Sequence, residues 1–288
     1  MELIWALFAI GALIFVGLWD FIKKLVLSKW GDKDIFLFVC FVLYVPAFWI
    51  NAYFQGTWIY DYETIQAACV IGVTNFGAPL WVMTALKYLG VSFALVSIRV
   101  ISSFVVLFAG LYVLWDILSV YNIIWFIIGA FAIFLLSWFK FGQKLDLHPK
   151  WIIAVIIAIF SISFWNSYYK YMIDGVQVHD YTALQFTVTG ACLFLYMLLR
   201  WKLKNLTKAE VTKVLPYASV TLILFTTFFL YLIPNMYLLW PLSLSYKMLS
   251  YSLVVPILLS VIFLWEPVNR TRIIAFALTI MSIFLFLV

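Results

Sequence analysis

The sequence is poor in charge. Only 10% of its 288 residues are Asp, Glu, Lys or Arg, whereas 67% are hydrophobic. Soluble domains typically carry about 25% charged and about 45–50% apolar residues. A water-soluble fold of this length could not bury so much apolar surface, so lipid must be the solvent for most of these side chains. The deficit of charge excludes an ordinary soluble domain and predicts an integral membrane protein.

Residue types that carry catalytic or metal chemistry are also scarce. The three cysteines Cys40, Cys69 and Cys192 each lie in an apolar run, without a CxxC pair. The two histidines, His148 and His179, fall in loops predicted on opposite sides of the membrane. No HExxH, GxSxG or GxxxxGK[ST] pattern occurs. These absences predict no enzyme, no catalytic residue, no metal site and no cofactor, and they exclude a P-loop ATPase.

Long apolar runs are abundant instead. A helix needs roughly 20 residues to cross a hydrocarbon layer of about 30 Å. Because the runs show no alternation of polarity, they predict helices and not the strands of a membrane barrel. The predicted fold class is therefore an all-α integral membrane protein with ten transmembrane helices, at residues 3–22, 35–54, 65–85, 91–114, 120–139, 151–170, 182–200, 214–234, 241–264 and 270–287.

The basic residues predict an orientation. Of the 18 lysines and arginines, fifteen lie in alternate loops on one side, only Lys170 lies in the other loops, and Arg99 and Lys247 fall within spans. Cytoplasmic loops carry the excess of basic residues in multi-pass proteins. The distribution predicts a cell-membrane protein with both termini outside the cytoplasm. It also accounts for the net charge of +6 without a nucleic-acid partner.

The two halves of the chain share a few residues at a nearly constant separation. Because five helices are an odd number, two tandem copies must face opposite ways. Such inverted repeats are a transporter architecture in which the halves exchange conformations around a central site. We therefore expect one integrated transport domain of two repeats, 1–142 and 143–288. The matches are Trp19, Lys24 and Asp34 with Trp165, Lys170 and Asp180, 146 residues later, and Trp115-Asp116 with Trp265-Glu266, 150 residues later.

Two cations inside spans are the sharpest candidates for a substrate site. A charge near the middle of the bilayer costs at least about 2.5–3.5 kcal/mol, so it should face a cavity or a partner. Together, two cations in one cavity would favour a carboxylate or phosphate. For Arg99 the alternative is a structural ion pair, and for Lys247 it is snorkelling to the interface. The predicted substrate-binding residues are Arg99 with Ser103 on its face, Lys247 with Ser243 and Tyr251, and the polar aromatics Trp165 and Tyr169.

Carboxylates near span ends have structural interpretations. Asp20 precedes Lys24 by four residues, which predicts an ion pair along the helix, with a proton-coupling carboxylate as the alternative. Asp116 and Glu266 each end a fourth span of a half. A negative charge is stabilised at a helix N-terminus. We therefore expect these two side chains to cap the helix that follows.

This pattern resembles the drug/metabolite transporter superfamily of 5 + 5 helices, whose halves each have a fourth helix ending in an acidic residue, a tight turn and a fifth helix with small residues. The segment 256–266 ends in Trp265-Glu266 before the last span, and the segment from Ser102 ends in Trp115-Asp116 before Gly129-Ala130. The first span, ending at 19–24, is also similar to that of the family. In the nucleotide-sugar and triose-phosphate translocator branch a Lys stands early in the ninth helix, where Lys247 lies here.

The resemblance and the buried cations together favour one function over its alternatives. We expect a secondary transporter of a small polar metabolite, possibly bearing a carboxylate or phosphate and coupled to protons or a counter-substrate. An EamA-type exporter of amino acids or amphiphilic compounds is one alternative. A flippase for a lipid-linked headgroup is the other.

Overall fold

The computed structural model describes residues 2–29, 32–56, 58, 60–88, 91–138, 149–173, 175–264 and 270–287. The regular structure in this part of the chain is entirely helical. One π-helical segment, Phe228–Leu232, joins α8 to α9, and 3-10 turns occupy Lys202–Asn205 and Tyr251–Leu253. The α-helices are α1 Glu2–Lys29, α2 Lys33–Gln55, α3 Tyr62–Tyr88, α4 Val91–Tyr112, α5 Val120–Trp138, α6 Pro149–Met172, α7 Val178–Leu199, α8 Lys208–Thr227, α9 Ile233–Leu239, α10 Leu242–Ser250, α11 Val254–Leu264 and α12 Arg270–Leu287.

Eight helical stretches of the described chain are long and apolar enough to cross a membrane. They correspond to α1, α2, α3, α4, α6, α7, the continuous stretch Lys208–Leu239, and Ser245–Phe263. Two shorter apolar helices, α5 and α12, pack against each other and complete ten stretches at the ten predicted positions. The prediction of an all-α, multi-span architecture is confirmed.

The eighth and ninth stretches are interrupted, although continuous helices were expected there. Proline lacks the N–H that bonds to the carbonyl four residues earlier, and its ring clashes with that carbonyl. Pro234 follows the π-helical segment Phe228–Leu232, and Pro256 follows the 3-10 turn Tyr251–Leu253. Pro79, in contrast, lies within the uninterrupted helix α3. Proline at two of these three positions therefore coincides with a local change of helix type.

Aromatic and glycine packing holds the helices around α1, α2 and α8. Rings of α2, α7 and α8 stack, with centroid separations of 4.2 Å for Phe48–Phe186 and 4.9 Å for Tyr44–Phe225. Each such pair contributes about 0.5–1.5 kcal/mol beyond the area it buries. On α1, a Cβ added at Gly17 would lie 2.6 Å from the carbonyl oxygen of Ser252. Glycine therefore allows α1 to approach the backbone between α10 and α11.

The outer surface is strongly apolar. Large hydrophobic side chains such as Phe54, Phe108 and Phe160 are more than half exposed. Soluble monomers rarely expose apolar patches of this kind, whereas a lipid environment accommodates them at no cost. The exposed side chains thus agree with the composition in requiring an apolar solvent.

Candidate functional site

A cavity of about 120 Å³ lies at the centre of the helices. Helices α1, α3, α4, α6, α8 and α10, with the π-helical segment, supply nearly all of its wall, and α2 adds a single side chain. Most wall residues are aliphatic or aromatic, and a minority are polar. The lining residues are Phe15, Val16, Trp19, Asp20, Lys23, Phe41, Asn75, Ala78, Pro79, Val82, Leu95, Ile98, Arg99, Ile162, Trp165, Asn166, Leu224, Phe225, Phe228, Phe229, Tyr246 and Leu249.

An ion cluster stands in the cavity wall. Asp20 is fully buried; its Oδ1 accepts a hydrogen bond of 2.6 Å from Lys23 Nζ, and its Oδ2 accepts one of 3.0 Å from Arg99 Nη2. Lys23 comes one turn after Asp20 on α1, and its ammonium lies 4.9 Å from the centroid of the Trp19 ring. Asp20, Lys23 and Arg99 are the charged members of the described wall. One anion and two cations give this wall a formal charge of +1.

Three polar atoms of wall residues make no hydrogen bond. They are Asn75 Nδ2, Trp165 Nε1 and the Tyr246 hydroxyl, all of which are buried. The Tyr246 hydroxyl lies near the Arg99 guanidinium without reaching hydrogen-bonding geometry. Asn166, in contrast, is satisfied, since it donates to the carbonyl of Ile162 and accepts from a tyrosine of α9. Buried donors without partners are costly, so the wall retains unused capacity to bind an acceptor.

Of the predicted substrate-binding residues, the structure places Arg99 and Trp165 in the wall. Ser103 lies one turn beyond Arg99 and donates a hydrogen bond of 2.7 Å to its carbonyl oxygen. Tyr169 is buried outside the wall, with its ring centroid 5.6 Å from that of Trp165 and 6.0 Å from that of Tyr237. Arg99 combines the two roles weighed from sequence, because it pairs with Asp20 and also faces the cavity.

Lys247 does not join Arg99 at the cavity. Its side chain is fully buried outside the wall, with Nζ 4.2 Å from the ring centroid of Phe126 and 5.4 Å from that of Tyr251. The ammonium nitrogen has no hydrogen-bond partner among the described residues. Instead of two spanning-segment cations, Arg99 and Lys23 provide the positive charge of the cavity.

Two predicted contacts of carboxylates differ from those in the structure. Asp20 pairs with Lys23 and Arg99 instead of Lys24, because i,i+3 residues also share a helix face. Asp116 caps α10, which belongs to the other half, instead of the following helix α5. Its Oδ2 accepts hydrogen bonds from the backbone N–H and the hydroxyl of Ser243, at 2.9 and 2.7 Å. The predicted cap by Glu266 lies outside the described residues.

Sequence reasoning missed Lys23 and Tyr246 as wall residues. Lys23 was counted only with the basic loop residues, although its spacing from Asp20 was a usable signal. Tyr246 adjoins Lys247 in sequence and faces a different way on α10. Among the described residues, no group of three or more His, Cys, Asp or Glu side chains could hold a metal ion.

Comparison with known proteins establishes likeness of fold only. By sequence, the chain matches no protein-family profile and no curated protein. By structure, 28 chains of solved structures match it. One is a crystal structure described simply as that of a protein, which aligns with a TM-score of 0.71 at 13% identity, over 98% of this chain and 97% of the other. The whole helical arrangement therefore occurs in at least one experimentally determined structure.

Proposed function

We propose that the protein is a secondary transporter of a small metabolite and that the central cavity is its substrate site. The observation that carries this proposal is the ion cluster of Asp20, Lys23 and Arg99 in the wall of a cavity at the centre of a multi-span helical protein. Ionisable groups within membrane spans are expensive to bury and commonly mark substrate or ion pathways. A purely structural subunit would have no use for a cavity beside them.

The wall itself supports a duplicated architecture. Its residues from the two halves of the chain form pairs with a fixed separation in each pair of helices. Residues that correspond in two inverted copies would face the same central site from opposite sides. The pairs are Val16, Trp19 and Asp20 with Ile162, Trp165 and Asn166, 146 residues later; Asn75, Ala78 and Pro79 with Phe225, Phe228 and Phe229, 150 residues later; and Leu95 and Ile98 with Tyr246 and Leu249, 151 residues later.

These pairs favour two inverted repeats, 1–142 and 143–288, and transport by alternating access. In that mechanism each half forms the gate on one side of the membrane, and exchange of their conformations exposes the site to the other side. Membership of the drug/metabolite transporter superfamily is part of the proposal and agrees with the 5 + 5 arrangement. Exchange or proton coupling would supply the energy.

Cysteine accessibility tests the proposal. In a chain with Cys40, Cys69 and Cys192 replaced by alanine, Ala78→Cys puts one thiol in the cavity wall. A membrane-impermeant maleimide should label this thiol in right-side-out and in inside-out vesicles, because the cavity opens alternately to each side. The matched control is Ile117→Cys, whose parent side chain is 92% exposed between α4 and α5 and should label from one side only. Labelling of Ala78→Cys from one side or neither would contradict alternating access.

The orientation is a separate proposal. The bias of basic residues places both termini outside the cytoplasm. A C-terminal alkaline phosphatase fusion, which is active only outside the cytoplasm, should be active, while a C-terminal fluorescent protein that matures only inside should be dark. The opposite pair of results would reverse the orientation and leave the transport proposal unaffected.

A further inference from the structure

We infer that the central cavity takes a monoanion with an apolar body, and that Arg99 and Tyr246 recognise its anionic group. The inference rests on the transport function proposed above, because it names the substrate class of the same site. It is narrower than a polar metabolite: it excludes dianions, zwitterions and cations.

The charge of the wall selects a single negative charge. Asp20 is bonded to both Lys23 and Arg99, which leaves one positive charge uncompensated. Lys247, buried against Phe126, adds nothing to the cavity. A monoanion would bring the site to neutrality, whereas a doubly charged phosphate would leave an excess negative charge in a low-dielectric environment, where unpaired charge is strongly disfavoured.

The unpaired groups select an acceptor. Asn75 Nδ2 and Trp165 Nε1 are donors only, and the Tyr246 hydroxyl can donate. The Tyr246 hydroxyl is near the guanidinium of Arg99, so a carboxylate there could accept from a charged and a neutral donor together. A ligand ammonium would find no free anion, because both oxygens of Asp20 are already bonded to cations. It would instead lie close to Lys23 and Arg99 and be repelled.

The rest of the wall selects the body of the ligand. Apart from the ion cluster and a few polar groups, the cavity is lined by aliphatic and aromatic side chains, including Phe15, Phe41, Ile98, Phe225 and Phe228. Binding an apolar body there removes its surface from water without leaving any polar ligand group unsatisfied. A heavily hydroxylated metabolite would lack hydrogen-bond partners over most of this surface.

Benzoate and its relatives test the inference, because they vary the charge on one body. The purified protein is titrated with benzoate, phenyl phosphate, benzamide, benzylamine, phenylalanine and acetate, and thermal stabilisation is converted into affinity. We expect benzoate to bind tightest, acetate to bind more weakly for want of a body, and the others to bind weakly or not at all. Arg99→Gln should weaken benzoate binding by about 10- to 100-fold, and Tyr246→Phe by about 3- to 10-fold.

Tyr181→Phe is the matched control, since Tyr181 is also buried with an unpaired hydroxyl but lies outside the wall. It should leave benzoate binding unchanged, and Tyr246→Phe keeps the test decisive if Arg99→Gln does not fold. The inference is overturned if phenyl phosphate, benzamide or phenylalanine binds as tightly as benzoate, if no probe binds, or if both tyrosine variants behave alike. Those results would leave the two-sided labelling of Ala78→Cys intact, so failure of the substrate class is distinguishable from failure of the transport function.

Discussion

Replacing Asp20 by asparagine should destabilise the protein severely. The change is nearly isosteric, so it leaves no cavity, and the amide oxygen can still accept one hydrogen bond. What it removes is the single negative charge bonded to Lys23 and Arg99, whose side chains are only 6% and 12% exposed. Removing one partner of a buried pair costs about 3–5 kcal/mol, because the remaining charge is left uncompensated. Folded domains are stabilised by only about 5–15 kcal/mol in total.

The assay is reversible unfolding in mixed micelles, followed through the fluorescence of the 14 tryptophans. The control is Glu210→Gln, which breaks the i,i+3 pair with Lys213 at 2.8 Å, close in length to the Asp20–Lys23 contact of 2.6 Å. Because the side chains of Glu210 and Lys213 are 34% and 49% exposed, water screens them and the expected loss is about 0–1 kcal/mol. Burial is thus the main variable between the two pairs.

A third variant separates charge balance from the mere loss of a contact. Lys23→Met removes the hydrogen bond to Asp20 but leaves Asp20 and Arg99 as a balanced pair, so it should cost clearly less than Asp20→Asn. Equal losses for Asp20→Asn and Glu210→Gln would refute the reasoning, since the two cations would then be hydrated. So would a larger loss for Lys23→Met than for Asp20→Asn.

Three further changes probe the fold around the site. Gly17→Ala should lower the free energy of unfolding by about 1–3 kcal/mol, because the new methyl group lies 2.6 Å from the Ser252 carbonyl; Gly11→Ala, which meets only a flexible side chain at 3.1 Å, should cost less in the same assay. Asp116→Ala should cost about 1 kcal/mol through the lost cap of α10, and a neutral result would dismiss that cap. Lys247→Met should raise the melting temperature, since burying an unpaired ammonium costs several kcal/mol and its cation–π contacts return about 2; a lower melting temperature would show that the ammonium has a partner.

The helical architecture could be predicted from sequence because lipid imposes a length on every span. Runs of about 20 apolar residues leave few alternatives to a helix. Hydropathy does not register which carbonyl an N–H bonds to, so the π-helical segment Phe228–Leu232 and the 3-10 turn Tyr251–Leu253 could not be read from it. Proline was the available signal, yet Pro79 lies in a continuous helix, so the signal is ambiguous without the tertiary context.

The site could be predicted only in part, because the rotation of each helix about its axis is not fixed by a sequence that is apolar on all faces. Burial cost singled out Arg99 and Lys247 equally, and the structure turns only Arg99 toward the cavity. Asp20 could pair with a residue three or four positions later, and the spacing alone does not choose between Lys23 and Lys24. The contact between Asp20 and Arg99 spans 79 residues and has no local signal at all.

Asp20 also bears on how an empty carrier could change conformation. A site with two buried cations and no anion would be stable only while a ligand supplied the missing charge, so the unloaded protein would be held in a hydrated, open state. With Asp20 bonded to both Lys23 and Arg99, the empty site carries one net charge instead of two. The ligand then decides the last charge and the carboxylate decides the first. An unloaded protein that must return across the membrane needs the lower of those two charges, and for this reason Asp20 belongs to the transport cycle as well as to the fold.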